Sequence, residues 1–254
     1  MSRDLKNIDV VILCGGLGTR LRQEVPDRPK ILARVGGKTF FDLLIEKFVF
    51  SGFKRFILCV GYLKEQVKNH VVKNYKDLQN SGIEILFSEE IEPRGTGGAL
   101  KLASPLISSE SFLVVNGDTL HGFDFKDFFI FHKKGGALIS FALTPAVRED
   151  GGVVVVAKDN GLINFAEKEI LTAGERYMNP TQKTLCGMNA GAYFMDRKVL
   201  DLLPFDNVFS LEHDFFPTII SKEKCLGFLT KGGAHDIGIP ERYKEIQKIF
   251  YEPR

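Results

Sequence analysis

The sequence predicts an α/β protein: a mixed, mainly parallel sheet with helices on both faces and an antiparallel β insert in the second half of the chain. Three observations predict it. Apolar strand-like runs alternate with helix-spaced runs from Val10 to Asp118, the pattern of a parallel sheet covered by helices. The first run feeds straight into Gly15, Gly16 and Gly18, a bare-backbone loop where such sheets place their ligands, beyond the carboxyl ends of strands. Farther on, Val153 to Ala157 and Leu162 to Ala166 flank Lys158-Asp159-Asn160-Gly161, and Asn-Gly between two apolar runs is a strong hairpin signal.

Taken in order, Val10 to Leu13 is a strand, and Thr39 to Ser51 repeats apolar positions at helical spacing until Gly52 stops it. Arg55 to Val60 is the next strand, Leu63 to Tyr75 a helix, Ile83 to Phe87 a strand, Gly98 to Leu106 a helix, and Phe112 to Val115 a strand ending at Asn116-Gly117-Asp118. A helix over Phe123 to Gly135 and a strand over Ala137 to Leu143 follow, then the hairpin, a polar irregular stretch over 168–184, and a strand from Leu185 to Met195. Asp196 to Leu203 and Leu211 to Ile220 read as helices, the second N-capped by Ser210; Cys225 to Thr230 is a strand, and Glu241 to Tyr251 a helix after Pro240. There is no linker, low-complexity segment, internal repeat or hexapeptide-repeat segment. The expected organisation is one domain over 1–254, with parts over 1–135 and 136–236 and a C-terminal helix over 237–254.

Composition narrows the partners. The 254 residues carry 34 basic and 32 acidic side chains, a net charge of +2, so neither a nucleic-acid surface nor a polybasic membrane patch is expected. Cys14, Cys59, Cys186 and Cys225 are far apart and show no C-x-x-C spacing, as expected of reduced thiols in a cytoplasmic protein. The N-terminus lacks an apolar leader region and no segment approaches a membrane span.

The chemistry concentrates in DVVILCGGLGTRLRQEVPDRPK, residues 9 to 30. Glycines let main-chain N–H groups approach an anion, and Arg20 and Lys30 add two fixed cations, so the stretch reads as a triphosphate seat. Two better-known motifs fail: the third glycine of a dinucleotide fingerprint is replaced by Leu21, and the leading glycine of a P-loop before Gly37-Lys38-Thr39 is replaced by Leu32. Asp118, in VVNGD, and Asp236, in AHDIG, are carboxylates that would suit a hard divalent cation. Each has an ordinary alternative: a tight βα turn for the loop, a helix N-cap for Asp118, a turn aspartate for Asp236.

The run G-G-x-G-T-R-L…P-K, together with EPRGTGGAL and DIGIPERY, resembles the signature of the sugar-1-phosphate nucleotidylyltransferases. The pattern is nearest to that of the D-glycero-α-D-manno-heptose 1-phosphate guanylyltransferases of bacterial surface-glycan pathways. The resemblance implies a Rossmann-like, GT-A-like fold and the reaction of an NTP with a sugar 1-phosphate to give an NDP-sugar and pyrophosphate. It implies Mg²⁺ held by Asp118 and Asp236, Arg20 on the leaving pyrophosphate, and Lys30 on the phosphates at the reacting centre. It places Leu13, Gly15, Gly16, Gly18, Thr19, Glu90, Gly95, Thr96 and Gly117 at the nucleotide. Gly152, Glu167, Lys168, Asn189 and Gly191 fall at the sugar phosphate, with Glu167 on a sugar hydroxyl and Lys168 on the phosphate, although an exposed charged pair is an equal reading for Glu167-Lys168. The sequence departs from the family in having His235 where relatives carry a large apolar residue before the second aspartate; a solvent-facing side chain is expected there. Ser210-Leu-Glu-His-Asp-Phe-Phe-Pro217 resembles a guanylyltransferase segment and reads as a packing helix.

Base choice turns on Glu90. Thymidylyl and uridylyl relatives place a Gln five residues before the glycine matched by Gly95; here that place is Glu90. A carboxylate only accepts, which suits the adjacent N1–H and N2–H₂ donors of guanine and opposes a uracil carbonyl. A mismatch of that kind costs about 1–3 kcal/mol, roughly a tenfold to hundredfold preference. GTP is the expected donor. A uridylyl-, thymidylyl- or cytidylyltransferase on another sugar, or a non-catalytic paralogue, stays open, as do the particular sugar and any homo-oligomer.

Overall fold

The computed structural model describes residues 4–76, 82–145, 153–156, 160–166 and 185–251. The chain runs β1 (Asp9–Leu13), a small hairpin β2 (Arg34–Val35) and β3 (Lys38–Thr39), α1 (Phe40–Ser51), β4 (Arg55–Val60), α2 (Lys64–Asn74), β5 (Glu84–Glu89), α3 (Gly95–Ala103) and β6 (Ser111–Asn116). It continues through β7 (Thr119–His121), α4 (Phe125–Gly135), β8 (Ile139–Thr144), β9 (Val153–Val156), β10 (Leu162–Ala166), β11 (Leu185–Asp196), α5 (Phe216–Ile220), β12 (Cys225–Leu229), β13 (Ala234–Asp236) and α6 (Pro240–Tyr251).

The main sheet has the order β10-β9-β11-β6-β1-β4-β5, with β8 beside β11 and β12 beside β8. The β6-β1-β4-β5 stretch is parallel, whereas β11 runs antiparallel to β6, β8 and β9. The sheet is therefore mixed, as the sequence predicts. β1 lies between β4 and β6, so the chain leaves it toward both sides of the sheet, and this is the position at which parallel sheets open a crevice.

Alternation along the strands divides the core in two. Val10 and Ile12 of β1 point to the face covered by α1 and α4, against Phe40, Leu44, Phe48, Phe125 and Phe128. Val11, with Ile57 and Val114, points to the opposite face, against Leu100 of α3 and Phe216 and Ile219 of α5. The chain has 22 Phe and no Trp, and rings such as Phe48, Phe53 and Phe125 meet edge-on or tilted at 5.2–5.9 Å, the geometry the ring quadrupole favours. α1 starts on a reciprocal cap between Thr39 and Asp42 and stops at Gly52, whose φ of 104° only glycine adopts readily.

Several elements differ from expectation. The helix expected from Gly98 begins at Gly95 and finishes in a 3₁₀ turn over Ser104–Leu106. Asp196 caps a 3₁₀ segment, Arg197–Leu202, rather than an α-helix. The segment after Ser210 is a π-turn, Leu211–Phe215, followed by the short α5; Pro217 has no N–H for an α-helical bond back to His213, so the turn widens there. The hairpin is present as the antiparallel pair β9–β10, with Asn160 left-handed at φ 67°. Among the described residues no helix is long and apolar enough to cross a membrane.

Candidate active site

The carboxyl ends of β1, β5 and β6 converge on a cavity of about 350 Å³. Leu13, Gly15, Gly16, Gly18, Lys30, Glu90, Gly95, Thr96, Gly117 and Asp118 all line it, so most of the expected nucleotide residues are brought together. The sequence reading missed Cys14, Ile31, Pro93, Arg94, Ala99 and Asn116, which also line it; these are interleaved with the motif residues, and Arg94 alone among them is charged.

Glycine is required at particular places in this wall. A Cβ on Gly15 would sit 2.3 Å from Glu90 Oε2, and one on Gly61 would sit 2.9 Å from the same oxygen. Two strand-end glycines thus leave a slot that a carboxylate fills. Glu90 is 7% exposed, and its Oε1 accepts the Arg94 N–H at 3.1 Å. Burial raises its pKa against the pull of that N–H and of the Arg94 guanidinium. Burial, with help from the Glu90 charge, pushes the neighbouring Cys14 thiol up to about 12, so this cysteine is a neutral wall and no nucleophile. Gly16 has open space where a side chain would be, and its main chain faces the cavity directly.

At the amino end of α3, Phe209 O accepts from both Gly97 N (3.0 Å) and Gly98 N (3.3 Å). A Cβ on Gly97 would lie 2.1 Å from the Phe209 ring, so the glycines here serve close packing of the 207–209 segment. Gly95 and Thr96, which carry the remaining donors of that first turn, line the cavity, and a helix's first N–H groups favour an oxygen ligand.

Opposite them, Lys30, presented by a 3₁₀ turn after the extended Pro29, forms an ion pair with Asp118. Burial opposes ionisation of Asp118, yet the Lys30 charge and hydrogen bond, joined by the Thr119 hydroxyl at 3.1 Å, hold it below the usual carboxylate range. Asp118 caps no helix; it leads into β7.

β7 pairs antiparallel with β13, setting Asp236 opposite Thr119, and Ile237 N donates to Asp118 O at 2.9 Å. A two-stranded ribbon of three residues a side therefore places the two aspartates next to each other. Asp236 is paired with Arg242 of α6 and accepts the Gly238 N–H at 2.8 Å. Arg20 is exposed, and its Nη2 lies 3.9 Å from where a Cβ would stand on Gly238, which puts it beside the Asp236 turn; among the described residues it has no ion-pair partner. Thr19 is exposed on the same 3₁₀ turn, entered through Gly18 at φ 60°. His235 is exposed and opposite Leu120, facing solvent as expected.

Asn189 and Gly191 lie on β11 where its pairing with β8 is irregular. Gly191 has φ 65°, and a Cβ there would meet Asn116 Nδ2 at 2.7 Å, so β11 closes on the cavity wall, of which Asn116 is part. Gly152, Glu167 and Lys168 lie outside the described residues. Glu212, passed over as part of a packing helix, accepts from the Thr96 hydroxyl at 2.6 Å and the Tyr193 hydroxyl at 3.4 Å. No short motif marks it; only the fold brings it to Thr96. The arrangement thus offers glycine-lined backbone, cations and two aspartates on neighbouring strands, oxygen donors of the kind Mg²⁺ takes, and the chemistry that a polyphosphate needs.

The nucleotidyl transferase family model matches residues 9–252. The D-glycero-α-D-manno-heptose 1-phosphate guanylyltransferase of Aneurinibacillus thermoaerophilus is 31% identical over 241 residues, covering 95% of this chain and 97% of that protein. Its namesake from Campylobacter jejuni subsp. jejuni is 32% identical, covering 93% and 97%. The mannose-1-phosphate guanylyltransferase catalytic subunit beta of Drosophila melanogaster is 33% identical over 92% of this chain but only 60% of its own length. Among solved structures, HddC from Yersinia pseudotuberculosis complexed with GMP-PN superposes with a TM-score of 0.77 at 31% identity, covering 96% of this chain and 99% of that one.

Proposed function

We propose, from the premise that this chain belongs to the nucleotidyl transferase family and moves a nucleotidyl group onto a sugar 1-phosphate, that GTP is its donor and D-glycero-α-D-manno-heptose 1-phosphate its acceptor. The observation that carries the donor is Glu90, clamped between Gly15 and Gly61 at the cavity. An acceptor-only group held there can take the N1–H and N2–H₂ donors of guanine, while a uracil or thymine carbonyl would face it acceptor against acceptor. The acceptor sugar is supported by the two heptose 1-phosphate guanylyltransferases that this chain matches over nearly its whole length. Mannose 1-phosphate is the second reading, favoured by guanylyltransferases of which this chain spans about three-fifths.

In this reading an ionised oxygen of the sugar phosphate forms a bond to the α-phosphorus of the donor as the bond from that phosphorus to the pyrophosphate oxygen breaks. No proton needs to be abstracted, so positioning and charge supply the catalysis. The glycine loop and the free N–H groups of Gly95 and Thr96 seat the nucleotide. Lys30 trades its Asp118 partner for phosphate oxygens at the reacting centre, and Arg20 takes charge that accumulates on the departing pyrophosphate. Asp118 and Asp236 would hold Mg²⁺, which when bound neutralises triphosphate charge. Residues 1–135 form the nucleotide half, 136–236 the sugar half, including Gly152, Glu167, Lys168, Asn189 and Gly191, and 237–254 the closing helix of a single domain.

The test is pyrophosphate release over a grid of nucleoside triphosphates and sugar 1-phosphates. GTP with the heptose phosphate should give the highest kcat/KM, and Glu90→Gln should erode the preference over UTP and dTTP by roughly tenfold or more. A wild-type preference for UTP, dTTP or CTP would overturn the donor assignment; faster turnover of mannose 1-phosphate would overturn the acceptor.

A further inference from the structure

Arg94 lines the cavity together with Lys30, Glu90 and Asp118, and the proposed reaction gives it no task. Its main chain is pinned at both polar atoms: the N–H donates to Glu90 Oε1 at 3.1 Å, and the carbonyl accepts from Phe209 N at 3.0 Å. A Cβ on Gly98 would lie 2.7 Å from the Cβ of Arg94, so glycine at 98 leaves room for the arginine stem against α3. The start of the side chain is thus fixed at the N-cap of α3. Beyond it the half-buried guanidinium makes no ion pair and no hydrogen bond among the described residues.

Glu90 stands four residues back in the same wall, and the two charges do not pair. Arg94 is near enough to favour the ionised form of Glu90, yet each side chain keeps its capacity. The carboxylate has lone pairs beyond the one that takes the Arg94 N–H, and the guanidinium has a planar fork of donors. A base that satisfies both must present donors toward Glu90 and acceptors toward Arg94 along one rim. Guanine does: after its N2–H₂ and N1–H donors come the acceptors O6 and N7, the pair that an arginine takes bidentately. Adenine sets an N6–H₂ donor beside N7, against a guanidinium, and a pyrimidine has no N7 to offer.

We infer that Arg94 is a specificity-determining residue, reading the O6 and N7 edge of the guanine whose N1 and N2 edge meets Glu90. The inference rests on the reading of GTP as donor. The competing use of the same cation is a contact with phosphate, which would be blind to the base.

The experiment measures kcat/KM by pyrophosphate release for wild type and Arg94→Met with GTP, 7-deaza-GTP, ITP and UTP, the heptose 1-phosphate held constant. 7-Deaza-GTP carries C–H in place of N7, and ITP lacks the 2-amino group. Wild type should use 7-deaza-GTP roughly tenfold less well than GTP, and Arg94→Met should lose roughly tenfold with GTP while using GTP and 7-deaza-GTP within about twofold of each other. The ITP penalty, which falls at the Glu90 end, should be equal in both proteins, and UTP turnover should change by less than about twofold. Equal use of GTP and 7-deaza-GTP by wild type would overturn the inference without recourse to any variant. Equal losses for GTP and UTP in Arg94→Met, the mark of a phosphate contact, would overturn it as well. A wild type that does not prefer GTP to UTP would overturn the donor reading itself, a failure seen before any analogue is tried.

Discussion

Asp118 and Asp236 are neighbours across one short ribbon, yet the chain restrains them by different means. Asp118 is paired with Lys30, 88 residues away in sequence and part of the cavity wall. Asp236 is paired with Arg242, six residues on, and accepts the nearby Gly238 N–H. An ammonium on a flexible stem changes partners readily, whereas a guanidinium is a planar, geometrically fixed donor. The difference teaches that, in the proposed reaction, one carboxylate would give up its partner when a polyphosphate arrives and the other would keep its own. Nearness in space does not make the two aspartates equivalent.

The comparison breaks most visibly at Asp118. Asp118→Asn should lower kcat/KM on the order of a thousandfold, about 4 kcal/mol of transition-state stabilisation, with the fold retained; a loss below tenfold in a pyrophosphate-release assay would remove Asp118 from the reacting pair. The ribbon that carries both carboxylates has its own acid limit. Burial depresses His121 to about 4, against the pull of the Ala190 carbonyl and of Asp118, and burial likewise depresses His132 on α4 to about 4, with Lys133 adding to the effect. Each folded pKa lies below the unfolded value, so the stability each contributes is complete above about pH 6.5 and is lost as pH falls toward 4. Urea unfolding should show about 2 kcal/mol lost per histidine between pH 7.5 and pH 5, and His121→Phe should remove about half of the combined loss. A pH dependence unchanged in that variant would show that His121 does not limit the ribbon.

A smaller effect sharpens the contrast. Arg242→Met should lower kcat/KM roughly tenfold, about 1.4 kcal/mol, by releasing Asp236 from its anchor; a thousandfold loss would make the two ion pairs equals. The smallest change belongs to His235, exposed on the same strand: His235→Leu should alter the Mg²⁺ concentration for half-maximal rate by less than about twofold, as for a surface substitution. A clear shift in that titration would bring His235 into the site.

The long alternating elements were legible because each buries a repeating face: β1, α1 and β4 stand within a residue or so of their expected bounds. That the glycine loop, Lys30 and Asp118 share one cavity was legible because each follows or adjoins a strand end in a short local motif. The β7–β13 ribbon was not, since strands of three residues carry no measurable period, and the contact that unites Asp118 with Asp236 is a backbone bond between segments over a hundred residues apart. The β2–β3 hairpin, two residues a side, escaped for the same reason. Glu212 was illegible for a different one: its environment is made by Thr96, Tyr193 and Ser210, and no local pattern distinguishes it from the solvated Asp214 two residues on.

β11 has a mechanical meaning beyond its place in the sheet. Its twelve residues bond to β9 at one end, to β6 at the other, and to β8 on both sides of an irregularity between Asn189 and Tyr193, so the strand that carries Asn189 and Gly191 is also a neighbour of the strand that ends at Asn116. A hinge needs a few residues free to absorb rotation between two bodies, and here the same strand is bonded to β9 and β8 before the left-handed Gly191 and to β6 and β8 after it. Rocking the halves apart would shear several backbone bonds together, a cost on the scale of partial unfolding. In the proposed reaction, substrates would then be admitted and released by the loops above the sheet, with the nucleotide and sugar ends kept at a fixed separation by a single strand acting as a strut.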